Sequence, residues 1–222
     1  MARGTETGRA RCVGRSLLAD AIAATDAVAL QFQLQVIQIR SATDVDRDAI
    51  WNIFHEIIAA GDTYAFDPKM SREEALAYWL RADTHTYVAE NAQPSVGEAV
   101  GFSGTATPSP TVPREAGPVV GTYILRPNQL GAGAHVANAA FMVASDAQRS
   151  GVGRRMAEHC LDEARRMGFC AMQFNFVVST NVPAIHLWER LGFKIVGTLP
   201  GAFHHPEKGY VDVYVMYCSL LR

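Results

Sequence analysis

The segment Gln148-Arg149-Ser150-Gly151-Val152-Gly153-Arg154 constrains what this chain can fold into more than any other stretch. It joins an apolar, strand-like run, Val136–Val143, to residues 151–167, where apolar positions recur at helical spacing until Gly168 ends them. Two glycines at a strand-to-helix junction let the backbone turn tightly and approach a ligand closely. The N–H groups of a helix's first turn lack intrahelical partners and lie at the positive end of its dipole. Such a geometry suits a phosphate or pyrophosphate, and Arg149 and Arg154 add positive charge there. The loop is not a Walker loop, because no Gly-Lys-Ser/Thr follows, and it lacks the three-glycine dinucleotide fingerprint.

Around this junction the punctuation is regular. Residues 34–40 alternate as a strand does, and Ser41 to Asp44 offer caps for a helix. That helix carries Ile50, Ile53, Phe54, Ile57 and Ile58 on one face and closes at Gly61. Ser71 and Glu74 form a capping-box pattern before a short helix bearing Ala75, Leu76, Trp79 and Leu80. Strands are expected at residues 86–90 and 119–125. After the glycine loop come a strand at Ala171–Val178, a helix at Val182–Arg190 ending before Gly192, and strands at residues 193–198 and 211–218. This order predicts an α/β protein, a mixed sheet covered by helices, without internal repeats.

Two stretches stand apart. Residues 1–32 open with Arg3, Arg9, Arg11 and Arg15 against only Glu6, then turn alanine-rich. An Arg-rich, acid-poor start fits a transit peptide, but the favoured reading is a flexible tail or a start codon placed too early. Residues 92–118 are rich in Pro, Gly, Ser and Thr, with one strand-like piece at residues 99–105. They read as an inserted hairpin or loop within a single domain of residues 33–222. The net charge of −2 leaves no basic face for nucleic acid or for an anionic membrane. No apolar run reaches the ~18 residues of a membrane span. The four cysteines are scattered, without a Cys-x-x-Cys pair, so a reduced, cytoplasmic setting is expected.

A second motif follows the glycine loop. Asn181, Ala184, Leu187 and Trp188 precede Leu191-Gly192-Phe193. Together the two segments resemble the GCN5-related N-acetyltransferases, in the Gln/Arg-x-x-Gly-x-Gly/Ala signature and the Asn-x-x-Ala-x-x-Leu-aromatic…Leu-Gly-Phe pattern. The resemblance runs from about Ile37 to the C-terminus. It implies a sheet splayed between Val136–Val143 and Ala171–Val178, with the thioester of acetyl-CoA in the gap. It assigns Phe141, Met142 and Val143 to the pantetheine arm through their backbone. Gln148, Arg149, Ser150, Gly151, Val152, Gly153 and Arg154 fall to the pyrophosphate, and Asn181 to the thiol end or the pantetheine amides. A backbone N–H near Val143 would stabilise the oxyanion. Acetyl-CoA is then the co-substrate, no metal is implied, and the partner is a small-molecule amine; a homodimer is left open. Trp188 stands where many members carry a tyrosine that serves as general acid, and an indole N–H is no usable acid. Neither flanking strand contains a carboxylate or histidine. Glu90, acting through water, is the candidate base, against the simpler reading of a solvated strand-end charge.

Two polar residues interrupt the strands that would line the gap. Asn138 lies among Val136, Ala137, Ala139 and Ala140, and Asn175 lies between Phe174 and Phe176. A buried amide without partners costs about 1–3 kcal/mol, so each needs a structural or functional reason. The runs Val136-Ala137-Asn138 and Gln173-Phe174-Asn175-Phe176-Val177-Val178, with Asn181, resemble the fungal azetidine-2-carboxylate (proline-analogue) N-acetyltransferases and their bacterial relatives. That resemblance implies that Asn138 and Asn175 hold a small imino or amino acid and orient its nitrogen. Tyr64 and Phe66, between the first two helices, are candidate walls of the acceptor site. His204-His205 has no third ligand at a zinc spacing, and His159 and His186 read as surface or interface residues. Alternatives are another acceptor (an antibiotic or herbicide amine, a polyamine, a protein N-terminus) or a non-catalytic CoA-binding module.

Overall fold

The computed structural model describes residues 36–92 and 117–221. The extension at residues 1–32, the strand-like piece at residues 99–105 and nearly all of the 92–118 insertion lie outside the described residues. Apart from Val36, the described residues belong to one compact unit.

Helix α1, Arg47–Ala60, stops at Gly61, whose φ of 64° is the left-handed turn that glycine adopts at low cost. Helix α2, Arg72–Trp79, starts on the expected capping box: Ser71 Oγ accepts the Glu74 N–H, and Glu74 Oε2 accepts the Ser71 N–H at 3.0 Å. Helices α3, Val152–Arg166, and α4, Val182–Arg190, complete the described α-helices; three single 3-10 turns lie at Asp44–Asp46, Gly131–Gly133 and Ser145–Ala147. The strands are β1 (Val36–Ser41), β2 (His85–Ala92), β3 (Val119–Pro127), β4 (Val136–Val143), β5 (Ala171–Val178), β6 (Lys194–His205) and β7 (Gly209–Ser219).

They form one sheet in the order β1-β2-β3-β4-β5-β7-β6. Pairing is antiparallel for β2/β3, β3/β4, β5/β7 and β6/β7. Strands β4 and β5 are parallel, and their register holds only Val136 with Ala171 and Ala137 with Met172. Beyond those two pairs the strands part, which is the expected splay.

Helices cover both faces of the sheet. Ile50, Phe54, Ile58 and Trp79 from α1 and α2 pack with Val88, Ile124 and Met142 on one side. Met156 and Cys160 of α3 and Trp188 of α4 pack with Tyr123, Phe174 and Met216 on the other. The period of two in β4 sends Ala140 and Met142 to the first layer and Ala137, Ala139 and Phe141 to the second. Burial on both faces explains why this strand reads as continuously apolar.

Strand β6 is longer than its sequence suggests. Pro200-Gly201 reads as a turn, yet β6 continues through it to His205, with register irregularities between Leu199 and Phe203. As the last strand of the sheet it lacks a second neighbour, and an edge tolerates the missing proline N–H. Among the described residues no helix is long and apolar enough to cross a membrane.

Candidate active site

A cavity of about 330 Å³ lies where β4 and β5 part, lined by Tyr64, Phe66, Arg126, Asn138, Asn175 and Trp188 among others. Strand register decides which backbone groups face it. Asn128 donates its N–H to Val136 O at 2.8 Å, and Ala144 donates to Val120 O at 3.0 Å. Even-numbered residues of β4 therefore bond to β3, and odd-numbered ones turn their N–H and C=O groups to the splay. Phe141 and Val143 present backbone to the gap. Met142 does not: its backbone faces β3 and its side chain is enclosed beneath α1.

Tyr64 confirms the direction of Phe141. Its hydroxyl accepts the Phe141 N–H at 3.1 Å and donates to the Phe141 carbonyl at 2.5 Å. Burial pushes the Tyr64 pKa up, only partly opposed by the Phe141 hydrogen bond. The ring stacks on Phe66, with centroids 5.7 Å apart, and Phe66 meets Tyr78 edge-on at 5.0 Å. These rings form one aromatic wall from the loop after α1 and from α2.

The two asparagines behave differently. Asn138 is half-buried, and its Nδ2 donates to Gln173 O at 2.9 Å, just past the last β4/β5 pair. Its amide thus ties the two strands at the vertex of the splay. Asn175 is exposed, not buried as its apolar neighbours imply. The β5/β7 register slips between Phe174 and Val177, so Asn175 and Phe176 both turn outward. Asn175 Nδ2 donates to Asn128 Oδ1 at 2.6 Å, and its Oδ1 accepts from Gln173 Nε2 at 2.8 Å. Both asparagines line the cavity.

Sequence reasoning missed Arg126, Tyr78 and Asn128 here. Only the pairing of β3 with β4 places Arg126 opposite Asn138.

In the glycine loop Gln148, Arg149, Ser150, Gly151 and Arg154 are exposed, whereas Val152 is buried. Gly151, with φ of 89°, is the N-cap of α3, and Arg149 at φ 64° is the one non-glycine residue with positive φ among the described residues. Arg155 N–H reaches Gly151 O at 3.0 Å. The N–H groups of Gly151, Val152, Gly153 and Arg154 find no partner among the described residues, as expected of a helix start. Ser150 Oγ donates to Ala147 O at 2.6 Å, across the turn that contains Gln148 and Arg149. The charge of Arg154 is shared with Glu158 at 2.8 Å, whereas Arg149 has no carboxylate partner among the described residues. Asn181 caps α4, its Oδ1 accepting the Ala184 N–H at 3.3 Å, which leaves its Nδ2 available to a ligand.

Trp188 is 8% exposed, with its ring 4.6 Å from Phe174 and 5.0 Å from Phe141. It is a packing residue at the cavity wall. Glu90 is neither solvated nor at the cavity: it is 5% exposed and accepts from Arg40 Nε at 2.9 Å. The same guanidinium bonds both oxygens of Asp46 at 2.8 Å. His159, expected at the surface, is half-buried and shares a 2.6 Å hydrogen bond with the Tyr123 hydroxyl; burial lowers its pKa. His205 is buried, with Nδ1 accepting the Glu207 N–H at 3.1 Å. Among the described residues no three His, Cys, Asp or Glu side chains gather as a metal site.

Residues 51–193 match the acetyltransferase (GNAT) family. The chain belongs to that family. It is 33% identical over 159 residues to the N-acetyltransferase aca1 of Schizosaccharomyces pombe, covering 71% of this chain and 72% of that one. A GCN5-related N-acetyltransferase from Kribbella flavida superposes with a TM-score of 0.70 at 41% identity, over 82% of this chain and 97% of that one. YncA of Salmonella typhimurium, a putative acetyltransferase solved with its cofactor acetyl-CoA, shares the fold. Its TM-score is 0.65 at 20% identity, over 84% and 95% of the two chains. This GNAT chain is accordingly an acyltransferase, an acetyl-CoA-dependent N-acetyltransferase.

Proposed function

We propose that this GNAT enzyme acetylates the nitrogen of a small amino or imino acid, a proline analogue such as azetidine-2-carboxylate, held in the cavity between β4 and β5. The observation that carries the reading is the convergence of Asn138 and Asn175 on one small cavity at the splay, walled by Tyr64 and Phe66. Amides both donate and accept, so together they suit a ligand that carries a carboxylate beside an amine.

Acetyl-CoA supplies an activated thioester. The unpartnered N–H groups from Gly151 to Arg154, with Arg149, suit its pyrophosphate. The Phe141 and Val143 backbone groups, which face the splay, and Asn181 Nδ2 suit the pantetheine amides. The Phe141 N–H already meets an oxygen from the splay side, that of Tyr64, and an oxyanion donor must do the same. Among the described residues no carboxylate or histidine lines the cavity, and no side-chain base is assigned to the amine proton. The nitrogen arrives neutral, bonds to the acetyl carbon as the C–S bond breaks, and its proton ends on the departing thiolate through water. With a thiol pKa near 8.5, roughly, that departure needs little assistance, which accords with the absence of an acid at Trp188.

A thiol-release assay with a panel of amines tests this reading. Azetidine-2-carboxylate or a close analogue is expected to be the best acceptor. A polyamine or a peptide N-terminus as best acceptor would replace the substrate class and keep the reaction. Donor binding without thiol release on any amine would mark a non-catalytic CoA-binding module.

A further inference from the structure

Arg126 sits on β3 directly opposite Asn138 of β4, on the cavity wall. It is half-buried. Its Nη2 donates to the Tyr78 hydroxyl at 2.9 Å, and its guanidinium carbon lies 5.1 Å from the centre of that ring. Tyr78 therefore holds the guanidinium from one side by a hydrogen bond and a cation–π contact.

What Arg126 lacks is a counter-charge. Arg40, Arg47, Arg72, Arg81, Arg154, Arg165 and Arg166 all pair with carboxylates. Arg149, Arg155 and Arg190 do not, but they are exposed and solvated. Among the described residues Arg126 is the one arginine that is partly buried without a carboxylate within reach. A guanidinium carries five N–H donors in a planar fork that matches a carboxylate, and only one of them is engaged here. Withdrawing such a cation from water without a partner is unfavourable, and the cavity lining offers no anion.

We propose that Arg126 is the carboxylate anchor of the acceptor site and confines the acceptors to small amines bearing a free carboxylate beside the nitrogen. The proposal rests on the cavity being the acceptor site. Tyr78 is its positioning residue, fixing the plane of the fork. The arrangement also bears on the nitrogen: an unopposed cation nearby disfavours a second positive charge and so favours the neutral amine that attacks. Anchor and proton control then come from one side chain, the one charged group among the described residues that line the cavity.

The test compares azetidine-2-carboxylate with its carboxamide, which differs only in that charge, by thiol release from acetyl-CoA on the full chain. Wild type is expected to prefer the acid by at least about tenfold in kcat/KM. In Arg126→Gln that preference should collapse to about one, mainly through KM for the acid. Arg126→Lys keeps the charge without the fork and should fall between them; it serves if Arg126→Gln does not fold. Tyr78→Phe should raise KM for the acid more than KM for the carboxamide, narrowing the preference without abolishing it. Equal use of acid and amide by wild type, or a preference that persists in Arg126→Gln, overturns the anchor while leaving the cavity reading intact. Turnover of neither compound, with brisk turnover of a polyamine or peptide, overturns the acceptor reading and the anchor with it.

Discussion

The hydroxyl of Tyr64 is bonded to both backbone groups of Phe141, accepting the N–H at 3.1 Å and donating to the carbonyl at 2.5 Å. These are the groups on β4 that turn toward the splay, so the loop after α1 is latched across the place proposed for the pantetheine arm. Donor and latch then compete for the same two hydrogen bonds. Removing the hydroxyl in Tyr64→Phe frees the strand for the donor, and each net hydrogen bond is worth about 0.5–1.5 kcal/mol. The KM for acetyl-CoA is expected to fall by a few-fold, with a small loss of melting temperature. A raised acetyl-CoA KM would show that the hydroxyl serves the donor instead of competing with it.

Gly151 has a φ of 89°, and a Cβ built there meets nothing within 4 Å. Any effect of a small side chain must therefore come from backbone conformation, since left-handed backbone costs a non-glycine residue about 1–2 kcal/mol. Gly151→Ala should move the N–H groups that follow and raise the KM for acetyl-CoA by about tenfold, or 1.4 kcal/mol. Titration with CoA alone provides a second readout. Unchanged donor binding in a folded variant would take the pyrophosphate away from this loop.

Trp188 packs between Phe141 and Phe174 and is assigned no proton transfer. Trp188→Phe and Trp188→Tyr should thus lose similar stability and differ in kcat by less than about threefold. A large gain confined to the tyrosine variant would mean that thiolate departure wants an acid after all.

Asp46 is 3% exposed, and the Arg40 guanidinium, seconded by Thr43, holds its carboxyl at about 2 against an ordinary 3.8. A depressed folded pKa stabilises the native state above the unfolded value and ceases to do so as pH falls through the folded one. The contribution is of order 2 kcal/mol near neutrality and disappears between about pH 4 and pH 2. Asp46→Asn should remove it, lowering the neutral-pH melting temperature and flattening the acid limb of the stability curve. Identical acid limbs in the two proteins would exclude the Arg40–Asp46 pair as their cause.

Much of this fold was legible because capping residues and glycines bracket its apolar runs. Val136–Val143, Ala171–Val178 and Val182–Arg190 occupy the expected spans, and the Ser71–Glu74 box starts α2 where it should. Strand β6 was foreshortened because Pro200-Gly201 signals a turn, and only its edge position overrides that signal. Asn175 was misread as buried because a register slip, invisible in a period-two pattern, turns it outward. Glu90 reads as a base or a solvated strand-end charge because its partner, Arg40, is distant in sequence. Arg126 escaped notice for the same reason: its meaning depends on Asn138 across the sheet and on Tyr78 from a helix.

The central claim is that the cavity at the β4/β5 splay binds a small imino or amino acid for acetylation. Its most direct test is a two-substrate kinetic comparison of wild type, Asn138→Ala and Asn175→Ala, with azetidine-2-carboxylate and a lysine-bearing peptide as acceptors. Each alanine removes an orienting amide, at a cost of about 1–3 kcal/mol. The account predicts that wild type favours the imino acid, and that each variant loses about ten- to hundredfold in kcat/KM for it. The KM for acetyl-CoA should move little. A peptide that outperforms the imino acid, or full activity on the imino acid in both variants, would contradict it.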